Sequence, residues 1–305
     1  MRALITGATG FVGSRLLQVL QDRQWDRPVI LSRDAARAAQ ALAQFQPVTH
    51  RWDPMSGPPS AEAFEGIDAV FHLAGESIVS GRWTKAQKQR IRDSRLVGTR
   101  NLVEGLARGT LKPSVLVSSS AVGYYGSRGD EMLTESSAPG NDFLADVCRE
   151  WEVVARGAEP LGIRVVLSRT GVVLGHGGAL AKMLLPFKLG LGGPLGNGRA
   201  WMPWIHVDDL IGLWLHAAQT PTLAGPMNAV GPTPATNRDF TRALARQLHR
   251  PAIFPAPYFA LRLALGEVAS ILFASQRVLP EAAERSGYRF LYPDVAAALA
   301  VILAR

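Results

Sequence analysis

A glycine-rich turn between an apolar strand and an amphipathic helix opens the chain. The run RALIT leads directly into TGATGFVGSRLLQVL, where three glycines form the pattern GxxGxxG. Glycines permit a tight turn and a close approach of the backbone to a pyrophosphate, and the following helix offers free N–H groups and the positive end of its dipole. In this strand-to-helix context the motif predicts a dinucleotide-binding turn. The turn residues expected to contact the cofactor are Gly7, Thr9, Gly10, Phe11, Val12 and Gly13.

Short β-type runs alternate with longer helix-type runs through the first 170 residues. Three of them, RALIT, AVFHLA and SVLVSS, are almost continuously apolar, as expected for strands with helices over both faces of the sheet. The alternation predicts an α/β fold with a Rossmann-type doubly wound parallel sheet over residues 1–170. Beyond it, glycine- and proline-rich loops and helical runs at 237–248 and 257–275 predict a smaller C-terminal lobe on the substrate side. This lobe, over residues 171–305, is expected to intertwine with the first part.

Composition limits the class of protein. With 305 residues, 47% of them apolar, the chain can bury a sizeable core. A single cysteine allows no intramolecular disulfide, which suits a reducing compartment, and the N-terminal run MRALITG leaves no room for a secretion signal. We therefore expect a cytoplasmic protein.

Charge and hydropathy limit the partners. The formal net charge of +8 fits attraction to anions, but no zinc-finger spacing, aromatic RNP-like motif or basic repeat supports a nucleic-acid module. The longest apolar stretch, YFALRLALGEVASILFA, is interrupted by Arg262 and Glu267, which favours a buried or surface-docked helix over a membrane span. We expect an anionic small-molecule substrate, no nucleic acid, no membrane partner and no metal, while a homo-oligomer stays open.

The second strand ends in PVILSRDA, which bears on the choice of cofactor. Arg33 lies 20 residues after Gly13, where an NAD-binding protein usually has a carboxylate for the ribose 2′-hydroxyl. An arginine at this point can pair with a 2′-phosphate instead. We therefore expect NADP(H), contacted by Ser32 and Arg33, while Asp34 keeps NAD(H) open.

Several motifs resemble a known family. The runs TGATGFVG, HLAG at 72–75 and SSSAVGYYG at 118–126 resemble the extended short-chain dehydrogenase/reductases, which include nucleotide-sugar epimerases and dehydratases. The whole chain is similar to a narrower, atypical epimerase-like group with a characteristic C-terminal domain. This likeness is carried by GRWTKAQKQRIRDSRLVGT, RTGVVLG, GNGRAWMPWIHVDDL and ASQRVLP. The resemblance implies a Rossmann-type fold and a nicotinamide cofactor, and it implies no settled substrate.

The resemblance also implies roles for individual residues. Leu73, Ala74 and Gly75 would lie along the cofactor, with Ser118 as a further contact, and the Ser120 hydroxyl would bind the substrate oxygen.

In the same family, a Tyr-x-x-x-Lys pair on the next helix transfers the proton and holds the nicotinamide ribose. The corresponding segment here is NDFLADVCREWE, which contains no tyrosine, lysine or histidine. Two alignments put either Phe143 and Val147 or Leu144 and Cys148 at the two positions, and neither supplies an acid or a base. Tyr124 or Tyr125, just after the serine run, could replace the missing tyrosine.

Two further residues are candidates for substrate contact. Arg95 falls at helical spacing with the apolar side of its helix, and a buried arginine needs either a paired carboxylate or an anionic ligand. His206, in WIHVDDL, is either a proton carrier in the substrate pocket or part of a polar network with Asp208 or Asp209.

The sequence therefore predicts an NADP(H)-binding, epimerase-like oxidoreductase that acts on an anionic or sugar-like small molecule. Its reaction would be a hydride transfer, or an epimerisation that begins with one. The alternative is a non-catalytic NADP(H)-sensing or interaction protein, which the missing tyrosine and lysine favour.

Overall fold

The computed structural model describes residues 1–304, in which strands and helices alternate. The strands are β1 (Arg2–Thr6), β2 (Asp26–Ser32), β3 (Val48–Arg51), β4 (Ala69–His72), β5 (Val115–Ala121), β6 (Met132–Leu133), β7 (Arg164–Thr170), β8 (Val172–Leu174), β9 (Trp201–Met202), β10 (Trp204–His206), β11 (Gly225–Ala229), β12 (Ala235–Thr236) and β13 (Arg277–Val278). The α-helices are α1 (Phe11–Asp22), α2 (Ala35–Ala41), α3 (Lys85–Arg108), α4 (Phe143–Arg156), α5 (Gly178–Lys188), α6 (Val207–Gln219), α7 (Asn237–Leu248), α8 (Tyr258–Leu265), α9 (Ala269–Phe273), α10 (Glu281–Arg285) and α11 (Val295–Leu303).

Seven parallel strands form one sheet in the order β3, β2, β1, β4, β5, β7, β11. Helices α1 and α6 pack on one face, where Leu16 and Leu213 are fully buried, and α3 and α4 pack on the other, where Leu102 and Ala155 are fully buried. Because helices cover both faces, the central strands can be apolar along their whole length. The prediction of a doubly wound parallel sheet is confirmed.

The order of the strands locates the ligand crevice. From β1 the chain builds outward to β2 and β3 on one side, and then resumes on the other side with β4 and β5. In such sheets the connections at the carboxyl ends of the two central strands diverge and leave a crevice that binds ligands. The glycine turn after β1 and the HLAG run after β4 both lie at this crevice.

The second part of the chain contributes both to the sheet and to a lobe of its own. Residues beyond 170 supply β11 at the sheet edge and α6 on one face. Helices α5, α7 and α11 then enclose a separate core around Phe240 and Leu299. The predicted C-terminal lobe is thus present as a mainly helical region, while the boundary at residue 170 stays a prediction.

Two local features differ from the sequence-based expectation. Strand β3 does not stand out in the sequence, because VTHR is short, polar and partly exposed. The helix expected over 257–275 is divided into α8 and α9, since Gly266 takes φ +66° and ψ −142°, a backbone conformation that favours glycine and does not continue a helix. Among the helices of the described residues, none is both long and apolar enough to cross a membrane.

Candidate functional site

The glycine turn lies at the carboxyl end of β1. Gly7 has φ +73°, which favours glycine, and a Cβ on it would lie 3.0 Å from the backbone carbonyl carbon of Leu73. A Cβ on Gly13 would lie 2.5 Å from the Gly7 carbonyl oxygen. Gly10 is the N-cap of α1 and has no side chain to accept from the first N–H groups, which leaves them to an anion. The turn therefore fits a pyrophosphate.

A second glycine-rich loop, GHGG at residues 175–178, encloses the Phe11 ring. A Cβ on Gly175 would lie 2.5 Å from this ring, and one on Gly177 would lie 2.6 Å from it. Of the other turn residues, Thr9 is exposed and Val12 is half-buried. The loop therefore packs directly on the start of α1, next to the predicted pyrophosphate position.

A chain of buried hydrogen bonds fixes the HLAG run against the glycine turn. The Thr6 Oγ1 accepts from the backbone N–H groups of Leu73 and Ala74, at 3.1 Å each. Because these two bonds engage both lone pairs of the Thr6 oxygen, the Thr6 hydroxyl must donate its proton to His72 Nδ1, at 2.8 Å. The proton of the neutral His72 ring is therefore on Nε2, which donates to Thr99 Oγ1 at 2.9 Å. Burial lowers the pKa of His72 to about 4, so this histidine is neutral at physiological pH.

The side chains of Ser32, Arg33 and Asp34, at the end of β2, differ in their hydrogen bonds and in their exposure. Asp34 is the N-cap of α2 and accepts from the Arg37 backbone N–H at 2.9 Å, while the Ser32 hydroxyl donates to the Asp34 carbonyl at 3.1 Å. Arg33 is exposed, and no described carboxylate lies within 4.0 Å of its guanidinium. One oxygen of the Asp34 carboxylate is therefore engaged in helix capping, and the Arg33 guanidinium is available to an anion.

Ser120 ends a buried ionic network at the carboxyl end of β5. Its hydroxyl donates to Glu152 Oε1 at 2.7 Å. The same carboxylate makes a two-pronged ion pair with Arg169, from Nε to Oε1 and from Nη2 to Oε2, at 2.8 Å each. Because all three residues are buried, the pair fixes the orientation of the Ser120 hydroxyl.

The two candidate tyrosines pack edge to face with each other beside Arg169 but differ in access. The Tyr125 hydroxyl donates to Asn228 Oδ1 at 2.6 Å and accepts from Arg169 Nη1 at 3.0 Å. Tyr125 is fully buried, and burial raises its pKa to about 12. The Tyr124 ring stacks on the Arg169 guanidinium at 3.4 Å and lines a cavity of about 350 Å³ with Glu135. The structure thus brings Ser120, Tyr124 and Tyr125 together around one arginine.

At the positions that correspond to the family's tyrosine and lysine, helix α4 presents no acid or base to the end of β5, while further along the helix Glu152 accepts from Ser120. A Cβ on Gly123, just beyond β5, would lie 3.4 Å from the Leu144 Cβ and 3.8 Å from the Cys148 Sγ. Phe143 packs instead on Trp83, with ring centres 5.3 Å apart. Burial raises the pKa of the Cys148 thiol to about 12, and the charge of Arg95 offsets this only in part. Leu144 and Cys148, the residues of the second alignment, therefore lie on the side of α4 that faces the end of β5.

Arg95 lies between the end of β4 and α4. Its Nη1 donates to the carbonyl oxygens of Glu76 and Ile91 at 3.0 Å each, and its Cζ is 5.1 Å from the Trp151 ring centre. A Cβ on Gly75 would lie 3.5 Å from the Arg95 Cζ. Burial lowers the pKa of this guanidinium, and it forms no salt bridge with a described carboxylate. A cation without a paired acid therefore lies directly beside the HLAG run.

His206 is the N-cap of α6, at the end of β10. Its Nδ1 accepts from the Asp208 backbone N–H at 3.1 Å, and its ring packs on Tyr292 with centres 4.0 Å apart and planes inclined by 41°. Burial lowers the pKa of His206, which keeps Nδ1 able to accept. Asp208 in turn accepts from Arg15 Nε of α1 at 2.6 Å. His206 is thus joined to Asp208 mainly through the backbone N–H, and both its polar network and a contact with substrate stay predictions.

Sequence reasoning missed several residues of this site, although two of them left a signal. His72 interrupts an otherwise apolar strand, and Glu152 follows Leu144 and Cys148 at spacings of four, which places it on the same side of α4. Ser118 is fully buried in β5 opposite His72, and its contact with the cofactor stays a prediction. The site residues that the sequence analysis did not identify are Thr6, His72, Thr99, Trp151, Glu152, Arg169 and Asn228.

Comparisons with known proteins agree with this geometry. The chain matches the model of the NAD dependent epimerase/dehydratase family over residues 3–248, and a domain of unknown function, DUF1731, over residues 256–302. It is 39% identical over 305 residues to the epimerase family protein YfhF of Bacillus subtilis, covering 100% of this chain and 98% of that protein.

Two solved structures are similar over nearly the whole chain. The human epimerase family protein SDR39U1 (isoform 2), solved with NADPH, has 34% sequence identity and a TM-score of 0.87, with 99% of each chain covered. A nucleoside-diphosphate sugar epimerase from Corynebacterium glutamicum has 35% identity and a TM-score of 0.80, with 99% of this chain and 58% of that chain covered.

Proposed function

Because the chain belongs to the NAD dependent epimerase/dehydratase family, we propose that it is an NADP(H)-dependent, epimerase-like oxidoreductase for an anionic or sugar-like small molecule. The observation that carries the proposal is the glycine turn, in which a pyrophosphate fits and side chains on Gly7 and Gly13 do not. The human relative with NADPH supports the same kind of cofactor for this chain.

The preference for NADP(H) over NAD(H) is proposed from the end of β2. A carboxylate that binds both ribose hydroxyls must be free, and the Asp34 carboxylate instead caps α2. The exposed Arg33 beside it suits a 2′-phosphate, because its planar guanidinium can bind two phosphate oxygens at once.

A second cation is proposed to act at the nicotinamide end. The family resemblance implies a lysine on α4, where this chain has an uncharged side chain at either alignment. Arg95 reaches the same region from α3, between Gly75 and Trp151, and lacks an acidic partner among the described residues. We infer that its guanidinium supplies the positive charge that the absent lysine would supply, toward the cofactor or an anionic substrate.

The substrate oxygen is proposed to bind between Ser120 and Tyr124. A bound nicotinamide would supply the hydride transfer. Because Ser120 donates its proton to Glu152, its free lone pairs suit a substrate hydroxyl that donates to Ser120 Oγ. Tyr124 is the more accessible tyrosine, while Tyr125 binds Arg169 and Asn228 and would position them. His206 would close the substrate side from the C-terminal lobe.

The alternative function is that of a non-catalytic NADP(H)-sensing or interaction protein. It is favoured by α4, which offers no acid or base at the positions of the family's tyrosine and lysine, and by the internal partners of the Ser120 and Tyr125 hydroxyls. A cytoplasmic location is proposed for either function, because the one cysteine is free and buried.

One experiment separates the two functions. Oxidation of NADPH is followed while anionic sugars and carbonyl compounds are screened with the wild type, Ser120→Ala and the control Ser119→Ala, which changes the neighbouring strand residue on the opposite face. If the protein is an enzyme, turnover should be lost in Ser120→Ala and kept in Ser119→Ala. All three proteins should still bind NADPH. Tight NADPH binding without turnover on any compound, together with cofactor-dependent capture of a partner, would contradict the enzyme and support the sensor.

A further inference from the structure

The C-terminal lobe carries an apolar surface that the described chain leaves uncovered. Helix α8, YFALRLAL, has no buried residue, and Phe259 and Leu263 are 75% and 80% exposed. Short helices are unstable in water unless an apolar face is covered. The large exposed side chains of this surface, called here the apolar patch, are Leu185, Leu189, Leu191, Ile253, Phe254, Phe259 and Leu263.

Three neighbouring segments of the lobe carry the apolar patch. The Gly196 N–H donates to the Ala256 carbonyl at 3.0 Å, and the Ala256 N–H donates to the Pro194 carbonyl at 2.9 Å. These bonds fix the chain after Leu191 alongside the chain after Phe254, and α8 begins two residues beyond Ala256. The segments that carry the exposed leucines and phenylalanines therefore adjoin one another in the lobe. Contiguous apolar surface of this kind marks an interaction site.

Basic side chains border the apolar patch. Arg242, Arg246, His249 and Arg250 line a surface groove of about 470 Å³ that ends at Ala252, immediately before Ile253. The basic residues of this border, called here the cationic rim, are Lys182, Lys188, Arg242, Arg246, Arg250 and Arg262. Each is outside the described salt bridges.

The cationic rim decides between the partners that could cover the patch. In a symmetric dimer, the same patch on two copies would meet, and the two rims would face each other with like charge. An anionic lipid surface instead offers an apolar layer for the patch and phosphate groups for the rim. We propose that the apolar patch and the cationic rim dock the protein onto an anionic membrane surface, with α8 lying in the plane of the interface.

This interaction is a surface contact and not a span, and it is proposed in place of the untested expectation of no membrane partner. That expectation followed from the charges that interrupt the stretch around α8, whereas in an interfacial helix a basic residue such as Arg262 is an advantage. Helix α8 belongs to the segment that matches the domain of unknown function. The docking is independent of the reaction proposed for the cofactor crevice.

Vesicle flotation with the full-length protein tests the docking. The wild type is expected to float with vesicles that contain about one-third phosphatidylglycerol, and not with pure phosphatidylcholine. The double variant Phe259→Ser/Leu263→Ser should bind about tenfold more weakly or worse, because it removes inserted apolar area. The double variant Arg246→Gln/Arg250→Gln should bind about 25-fold more weakly, from a factor of about five for each basic residue.

Matched controls use exposed residues at the far end of α3 and beyond it. Leu111→Ser, at a leucine that is 72% exposed, and Arg108→Gln should bind vesicles like the wild type. NADPH affinity, measured for every variant, verifies the fold. Equal vesicle binding by the patch variants and the controls would overturn the proposal, as would a wild type that does not bind anionic vesicles. A wild-type dimer that Phe259→Ser/Leu263→Ser converts to a monomer would assign the patch to a second copy instead.

Discussion

Among single residues, Arg95 has the most direct consequence for the cofactor. The nicotinamide ring carries a positive charge in NADP⁺ and none in NADPH, so a guanidinium beside it should disfavour the oxidised form. We expect Arg95→Gln to shift the ratio of NADP⁺ to NADPH affinity about tenfold toward NADP⁺. The measurement is a titration of each nucleotide, with Arg100→Gln, an exposed arginine on the same helix, as control. If the role of Arg95 were purely structural, Arg95→Gln would lower the affinities for NADP⁺ and NADPH by the same factor.

For single residues, the sequence predicts where a side chain lies better than which groups it contacts. Helical spacing placed Arg95 toward the protein interior, and the resemblance pointed to Ser120, but neither indicates what the side chain contacts. Arg95 packs on Trp151 of α4, and Ser120 bonds to Glu152, so both partners come from a helix that is distant in sequence. A glutamate on an amphipathic helix usually faces water, and here the arginine of β7 and the Ser120 hydroxyl together offset the cost of burying its charge.

Among the helices and strands, α2 offers a test of the role that the Asp34 carboxylate has at the end of β2. Asp34→Ala removes the N-cap and should lower the free energy of unfolding by about 1 kcal/mol. Since the Asp34 carboxylate is proposed to cap α2 and not to bind ribose, the ratio of NADPH to NADH affinity should stay unchanged. Urea unfolding and nucleotide titration measure the two quantities. A gain in NADPH preference would show that Asp34 had bound the ribose of NADH.

Elements with strong periodicity were predictable, and elements defined by tertiary contacts were not. The apolar runs of β1, β4 and β5 and the helical period of α7 can be read directly from the sequence. Strand β3 is held by pairing with β2, which its own polar sequence does not reveal. The break between α8 and α9 depends on Gly266, whose positive-φ conformation is one of several that glycine allows.

The stability of the whole molecule should depend on pH through His72. Its pKa is about 4 in the folded protein, against 6.5 in the absence of burial, so the unfolded state takes up the proton first. Stability is therefore constant above about pH 6.5 and falls as the pH decreases toward 4, with a loss of about 2 kcal/mol at pH 5. Urea unfolding at pH 7.5 and pH 5 should show that His72→Gln loses about 2 kcal/mol less than the wild type on acidification. Equal losses would mean that His72 is not buried as a neutral ring.

At the scale of the whole molecule, the sequence supports the family more firmly than the reaction. The likeness to an epimerase family with a distinct C-terminal domain is confirmed from end to end. Glycine spacing and strand-end motifs suffice for this because they are local in sequence. The substrate stays a proposal, because the side chains that would recognise it come from segments that are distant in the sequence, and their arrangement is not encoded in any single run.

The central claim is that an NADP(H) 2′-phosphate binds at Arg33. The most direct test compares the dissociation constants of NADPH and NADH for the wild type, Arg33→Ala and the control Arg23→Ala, an exposed arginine at the far end of α1. The wild type and the control should prefer NADPH, and Arg33→Ala should weaken NADPH about tenfold or more while leaving NADH unchanged. An unchanged preference in Arg33→Ala would contradict the account.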